Sequence, residues 1–219
     1  RFHIISLFPE SLESYLGSSM IKRAQAKKFF SVSLIDPRAY TKDKHRKADD
    51  KPYGGGPGMV MKAEPIVRAV ERALGKKKGR KKIIILSPRG KQFTQATART
   101  LARYNDVVLI AGHYEGIDAR VKKILRAEEI SVGPYTLTGG ELPALIIVDA
   151  VARYISGVLG KEESLEERRI ASGEVYTRPE EILHKGKKYR VPKVLLSGDH
   201  KKIDKYRGGS ILPLRAASD

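Results

Sequence analysis

Continuous apolar runs and helix-spaced apolar positions take turns along the chain. The runs are Phe2–Phe8, Phe30–Ile35, Lys82–Leu86, Val107–Ala111 and Glu129–Val132. Helical periodicity marks Glu10–Ala26, Glu64–Leu74, Thr94–Tyr104, Ile117–Leu125 and Pro143–Ile155. In the second of these, Ile66, Ala69, Val70, Ala73 and Leu74 fall on one face. Ile83–Leu86 and Val107–Ile110 are apolar without alternation, which suits strands covered on both sides. Strands alternating with helices predict an α/β fold with a mostly parallel sheet.

Three segments break the pattern. Lys42–Met59 is polar and basic, then glycine-rich, and Gly75–Lys82 is a basic loop. Lys161–Gly173 is highly charged and predicts a linker. Beyond it, Val175, Ile182, Leu183, Val191, Val194, Leu195 and Leu196 supply a second, smaller apolar set. That set is too small for a robust core of its own. The chain therefore divides into a domain of residues 1–160, a linker at 161–173 and a small domain at 174–219.

Charge narrows the partners. Lys and Arg outnumber Asp and Glu by 43 to 25 over 219 residues, a formal charge of +18. Such a field attracts polyanions, and nucleic acid is the expected partner, although charge alone does not separate RNA from DNA. The chain has no cysteine and five histidines, which leaves no expectation of a dedicated transition-metal site. No apolar run approaches the roughly 20 residues that span a bilayer. The start, Arg1-Phe2-His3-Ile4-Ile5, reads as a strand rather than a signal peptide. A cytoplasmic protein without a membrane partner is expected.

Candidate chemistry gathers in three turns. They are Leu86-Ser87-Pro88-Arg89-Gly90, then Ala111-Gly112-His113-Tyr114-Glu115-Gly116-Ile117-Asp118, then Ser131 to Pro143 with its Thr138-Gly139-Gly140-Glu141. Ligands of open α/β sheets collect at strand carboxyl ends, where glycine lets the backbone come close. The turns predict one cradle of main-chain groups or three separate tight turns, and spacing does not choose. Neither G-x-G-x-x-G nor a P-loop is present, which argues against a dinucleotide or nucleoside triphosphate. Upstream, Asp49 and Asp50 precede the loop Lys51 to Met59. Asp149 and Arg153 share a helix face at i, i+4, as a surface ion pair or as an arginine aimed into a pocket.

Several segments together resemble one family. They are Phe2–Glu10, Asp50–Met59, Gly112–Asp118, Thr138–Ala144, Gly157–Gly160, Tyr176–Pro179 and Leu195–His200. In order and in residues, they resemble the bacterial tRNA (guanine-N1)-methyltransferases. The resemblance implies a SPOUT-type fold: a mostly parallel sheet with a deep C-terminal trefoil knot, plus a small helical C-terminal domain. It implies S-adenosylmethionine as cofactor, use of magnesium, tRNA as substrate rather than DNA, and a homodimer. The target would be N1 of the guanosine 3′ of the anticodon. The cofactor cradle would comprise Leu86, Ser87, Pro88, Gly112, Tyr114, Glu115, Gly116, Val132, Gly133, Tyr135, Leu137, Gly139, Gly140 and Pro143. Asp49 would lie near the target base, and Arg153 would assist the reaction.

This chain departs from the family in its linker. An aspartate expected there is replaced by Arg168, with Glu167 just before it. Glu167 is the expected proton acceptor, with Glu166 and then Glu174 behind it. The alternative is a plain solvated linker, which fits a non-catalytic basic tRNA-binding protein of the same fold. A related enzyme acting on another RNA base is a third reading. His113 stands where an arginine is common, and Pro134 where an aspartate is.

Overall fold

The computed structural model describes residues 1–76, 78–159 and 174–208. The chain forms two compact units, Arg1–Val158 and Leu159–Asp219. The first unit runs β1 (Phe2–Ile5), α1 (Glu10–Leu16), α2 (Ser19–Ala26), β2 (Val32–Ile35), a 3₁₀ turn (Pro37–Tyr40), β3 (Asp49–Asp50) and β4 (Val60–Met61). It continues through α3 (Ala63–Leu74), β5 (Lys81–Gln92), α4 (Gln95–Leu101), β6 (Asp106–Ala111), α5 (Arg120–Leu125), β7 (Glu128–Ser131) and α6 (Glu141–Ala152). Five strands form one sheet in the order β2-β1-β6-β5-β7. All its pairings are parallel.

The expected α/β sheet is present, and its continuous apolar runs have a physical cause. Side chains alternate across a strand, so β6 sends Val107 and Leu109 to one face and Val108 and Ile110 to the other. One face packs with Leu12, Ile21, Ala98, Ile147 and Val151, drawn from α1, α2, α4 and α6. The other packs with Ile66, Val70 and Val121 from α3 and α5. A central strand buried on both sides has no polar side to show.

Local structure corrects several expected bounds. The single helix expected over 10–26 is two, because Gly17 caps α1 and Ser18 leaves the helical conformation. The strand expected at 82–86 resumes after its turn: β5 pairs with Ile130 at both Leu86 and Lys91, so Ser87–Gly90 bulges out of the ladder. The helix expected from Pro143 starts two residues earlier at Glu141, which puts the proline in the first turn, where its missing N–H costs nothing. Lys42–Met59, expected to be irregular, holds β3, which pairs antiparallel with β4.

The second unit was expected to be helical. It carries a hairpin, β8 (Glu181–His184) with β9 (Lys187–Arg190), before α7 (Lys193–Leu196) and α8 (His200–Gly208). Lys185 and Gly186 both take positive φ, the two-residue turn whose twist suits a hairpin. Among the described residues, no helix is long and apolar enough to cross a membrane.

Candidate functional site

The carboxyl ends of β6, β5 and β7 lie side by side in the sheet. Their turns bound one cleft of about 840 Å³. Every residue assigned to the cradle, from Leu86 through Pro143, lines it. The β6 turn is shaped by positive φ at Tyr114 and Gly116, and the Gly116 amide donates to His113 O at 3.1 Å. The β7 turn is held from within, since Ser131 Oγ donates to Gly133 O at 2.9 Å. That loop then folds back onto β6: Gly140 donates its amide to Gly112 O at 2.8 Å, and His113 bridges Gly139. Gly140 has no room for a side chain, because a Cβ there would sit 2.5 Å from Ala111 Cα.

The glycine-rich upstream segment is tied to the same wall. The Glu115 amide donates to Met59 O at 3.0 Å, Met61 to Gly116 O at 2.9 Å, and Asp118 to Met61 O at 3.0 Å. Asp49 does not line the cleft. It pairs in register with Met61, which in turn bridges Ile117, so two strand spacings (about 10 Å) separate it from the wall.

Polar side chains also meet beside the cleft and along it. Ser6, just beyond β1, donates its hydroxyl to Glu141 Oε1 at 2.6 Å. The other oxygen of Glu141 lies 4.0 Å from His113 Nδ1, a buried nitrogen without a hydrogen-bond partner among the described residues. Along the cleft, Lys122 meets Glu129 at 2.5 Å and Asp118 accepts a bidentate pair from Arg120. The Arg120 guanidinium holds the Asp118 carboxyl below the usual range, against the opposing effect of burial. His113, Asp118 and Glu141 all lie inside glycine turns read from the sequence. The Ser6–Glu141 bond spans 135 positions and had no local signal.

Arg153 is at the far end of α6 from the cleft, as the residue capping its C-terminus. A helix of 12 residues is about 18 Å long, so Arg153 lies roughly that far from Gly140. Its expected partner Asp149 accepts the Tyr15 hydroxyl at 2.6 Å, a bond that raises the tyrosine pKa. Glu167 and Glu166 lie outside the described residues. Glu174 accepts the Tyr176 hydroxyl, and that bond pushes the tyrosine up to about 12.

Comparison with known proteins agrees with the geometry. The profile of the family described as tRNA (Guanine-1)-methyltransferase TrmD matches residues 1–212. A protein of Moorella thermoacetica named tRNA (guanine-N(1)-)-methyltransferase is 47% identical over 212 residues, 94% of this chain and 83% of that protein. A protein of the same name from Thermomicrobium roseum is 48% identical over 94% of this chain and 77% of its own length. The one from Clostridioides difficile is 43% identical over 94% of this chain and 90% of its own. With a glycine-built cleft at three adjacent strand ends and a family match along nearly all its length, this chain belongs to the tRNA (guanine-1)-methyltransferase family, TrmD.

Proposed function

We propose that this protein transfers the methyl group of S-adenosylmethionine to N1 of the guanosine 3′ of the anticodon in tRNA. The observation that carries the reading is the meeting of three glycine turns in one cleft, in a chain of which 94% aligns with its relatives. The residues present suit the cofactor. Main-chain N–H and C=O groups can read an adenine without charge, and Gly140, packed on Ala111, keeps the floor at backbone level. Glu115 sets a carboxylate along the wall, a favourable field for a sulfonium. Leu86, Gly112, Tyr114, Gly133, Leu137 and Gly139 would be its nearest holders. When bound, the cofactor supplies an electrophilic methyl group.

What the chain must supply is a base that frees the nucleophile. N1 of neutral guanine carries a proton, so its lone pair is not free until a base removes it. Glu167 is the proposed acceptor, with Glu166 and Glu174 as alternatives; of these Glu174 is engaged by Tyr176. Asp49 would orient the base, and Arg153 would stabilise charge developing on O6. Within one chain Arg153 lies a helix-length from the cradle, which supports a homodimer that brings the arginine of one copy to the cleft of the other. The face of α6 supports the same arrangement, since Leu142 and Ile146 are 60% and 42% exposed. The return of the 132–140 loop onto the β6 turn supports a trefoil knot. Use of magnesium, which the resemblance implies, would be measured by chelation during turnover.

The test is incubation with methyl-labelled S-adenosylmethionine and tRNA. Label recovered as 1-methylguanine supports the proposal, and tRNA binding without transfer overturns it. Glu167→Gln should abolish transfer and spare cofactor affinity. Near-normal turnover in that variant removes Glu167 from the role.

A further inference from the structure

Tyr53 lies in the loop that joins β3 to β4, and the residue is fully exposed. Aromatic rings ordinarily gain their stability from burial, so one left wholly in water needs a reason. Its neighbours sharpen the point. Gly54, Gly55 and Gly56 have φ of +84°, +79° and +116°, where an L side chain is strained. A Cβ on any of them would meet nothing within 4 Å. These glycines are not making room for packing inside the chain; they shape the backbone of an open loop.

The loop is nevertheless fixed at the cleft. Gly58 lies so close to Glu115 that an added Cβ would sit 2.6 Å from its Cγ, and Glu115 lines the cleft. Met59 O accepts the Glu115 amide at 3.0 Å. The surroundings are cationic. Lys44, Arg46, Lys47 and Lys51 are exposed in the same stretch of chain, and the Tyr53 hydroxyl lies within electrostatic reach of Arg120. An open π face on a basic rim is the chemistry that single-stranded nucleic acid uses, with bases on the ring and phosphates on the cations.

We propose that Tyr53 is a stacking platform for an unpaired base of the RNA substrate, holding a nucleotide beside the one presented to the cleft. The methyltransferase reading supplies only the identity of that substrate as RNA. A stacked base would fix the register of the strand without reading its sequence, since every base has a π face.

The chain has no tryptophan, so Tyr53→Trp installs a single indole reporter. Its emission should be that of a water-exposed indole and should be quenched saturably by an anticodon stem–loop oligonucleotide. A fully paired RNA duplex of equal length should quench it far less. In steady-state transfer, Tyr53→Ala should raise KM for tRNA about tenfold, with kcat and methyl-donor affinity nearly unchanged. Tyr53→Phe should recover most of the loss, because the ring does the stacking. The proposal is overturned by a wild-type KM in Tyr53→Ala, or by emission that ignores saturating stem–loop. It is also overturned if the indole is shielded before RNA is added and the shielding grows with protein concentration, which would mean a second copy covers it. If the unaltered protein transfers no methyl group, the methyltransferase reading fails, while quenching by RNA still decides Tyr53.

Discussion

An added Cβ at Gly140 would lie 2.5 Å from Ala111 Cα and 2.8 Å from the Gly112 amide nitrogen. Both are backbone atoms of the β6 turn, so no side chain can swing aside. Gly140→Ala should cost about 2 kcal/mol of stability, in the range of other overpacked sites. It should also weaken S-adenosylmethionine binding at least about tenfold, because relief moves the floor of the cleft. Thermal melting and calorimetric titration measure the two effects; unchanged donor affinity would show that the floor does not touch the ligand. A second residue speaks for the opposite end of the sheet. The Asp106 side chain has no exposed surface and accepts from Arg1 Nε at 2.7 Å and Nη2 at 2.6 Å, with His3 Nε2 at 2.9 Å from Oδ1. The Arg1 guanidinium, aided by His3, holds its carboxyl far below the usual range despite burial. The folded pKa is therefore below the unfolded value of about 3.9, so this contribution is complete above about pH 5 and drains away as pH falls through 4 and below. Asp106→Asn should cost about 3 kcal/mol at neutral pH. Urea melts between pH 3 and 7 should converge for the two proteins at the acid end; parallel curves would refute the linkage.

At the scale of elements, α6 is the informative case. Its residues Glu141–Ala152 are apolar nearly all round, which marks a helix covered on every side. Ile147, Val148 and Val151 are buried against the sheet, yet Leu142 and Ile146, one turn apart, face outward in a single chain. If a second copy covers that face, Ile146→Asp should yield a folded monomer without transfer activity. Sedimentation and far-UV circular dichroism report the two properties together, and an intact active dimer would exclude this face. The same helix shows how much the sequence could tell. Its existence followed from apolar spacing, and so did the buried strands β5 and β6, since residues covered on both faces leave a continuous run. The break between α1 and α2 hid inside an unbroken helical pattern, where Gly17 and Ser18 looked like tolerated interior residues. The resumption of β5 after Ser87–Gly90 depends on β7, a strand about 40 residues later, and no local pattern records it. The hairpin at Glu181–Arg190 leaves little trace in the sequence, because its strands are four residues each and Ile182, Leu183 and Tyr189 are all exposed rather than alternating between core and water. In the site, the glycine turns were legible as turns. The bond that ties Ser6 to Glu141 was not, because it exists only once the sheet brings the end of β1 beside the start of α6.

For the whole molecule, the excess of positive charge should govern how substrate is found more than how it is methylated. The charge is not confined to the sheet domain: residues 174–208 hold ten Lys and Arg against five Asp and Glu. Each phosphate met by a cation releases condensed counterions, so affinity for RNA falls as a power of salt concentration. The cleft should work differently, because its proposed ligand is a small molecule that main-chain groups would hold, beside carboxylates already paired with Lys122 and Arg120. The two half-reactions should therefore separate in a salt titration. Raising potassium chloride from 50 to 200 mM should increase KM for tRNA at least about tenfold. S-adenosylmethionine affinity should change less than about twofold over the same range, since a small ligand releases few condensed counterions. kcat at saturating tRNA should stay nearly level, because proton removal from N1 and methyl transfer occur after the phosphates are seated. Stopped-flow association with labelled tRNA would show the loss mainly as slower encounter, the signature of steering by a long-range field. A salt-independent KM would mean that shape and base stacking, not charge, dominate recognition, and that the basic surface serves another purpose.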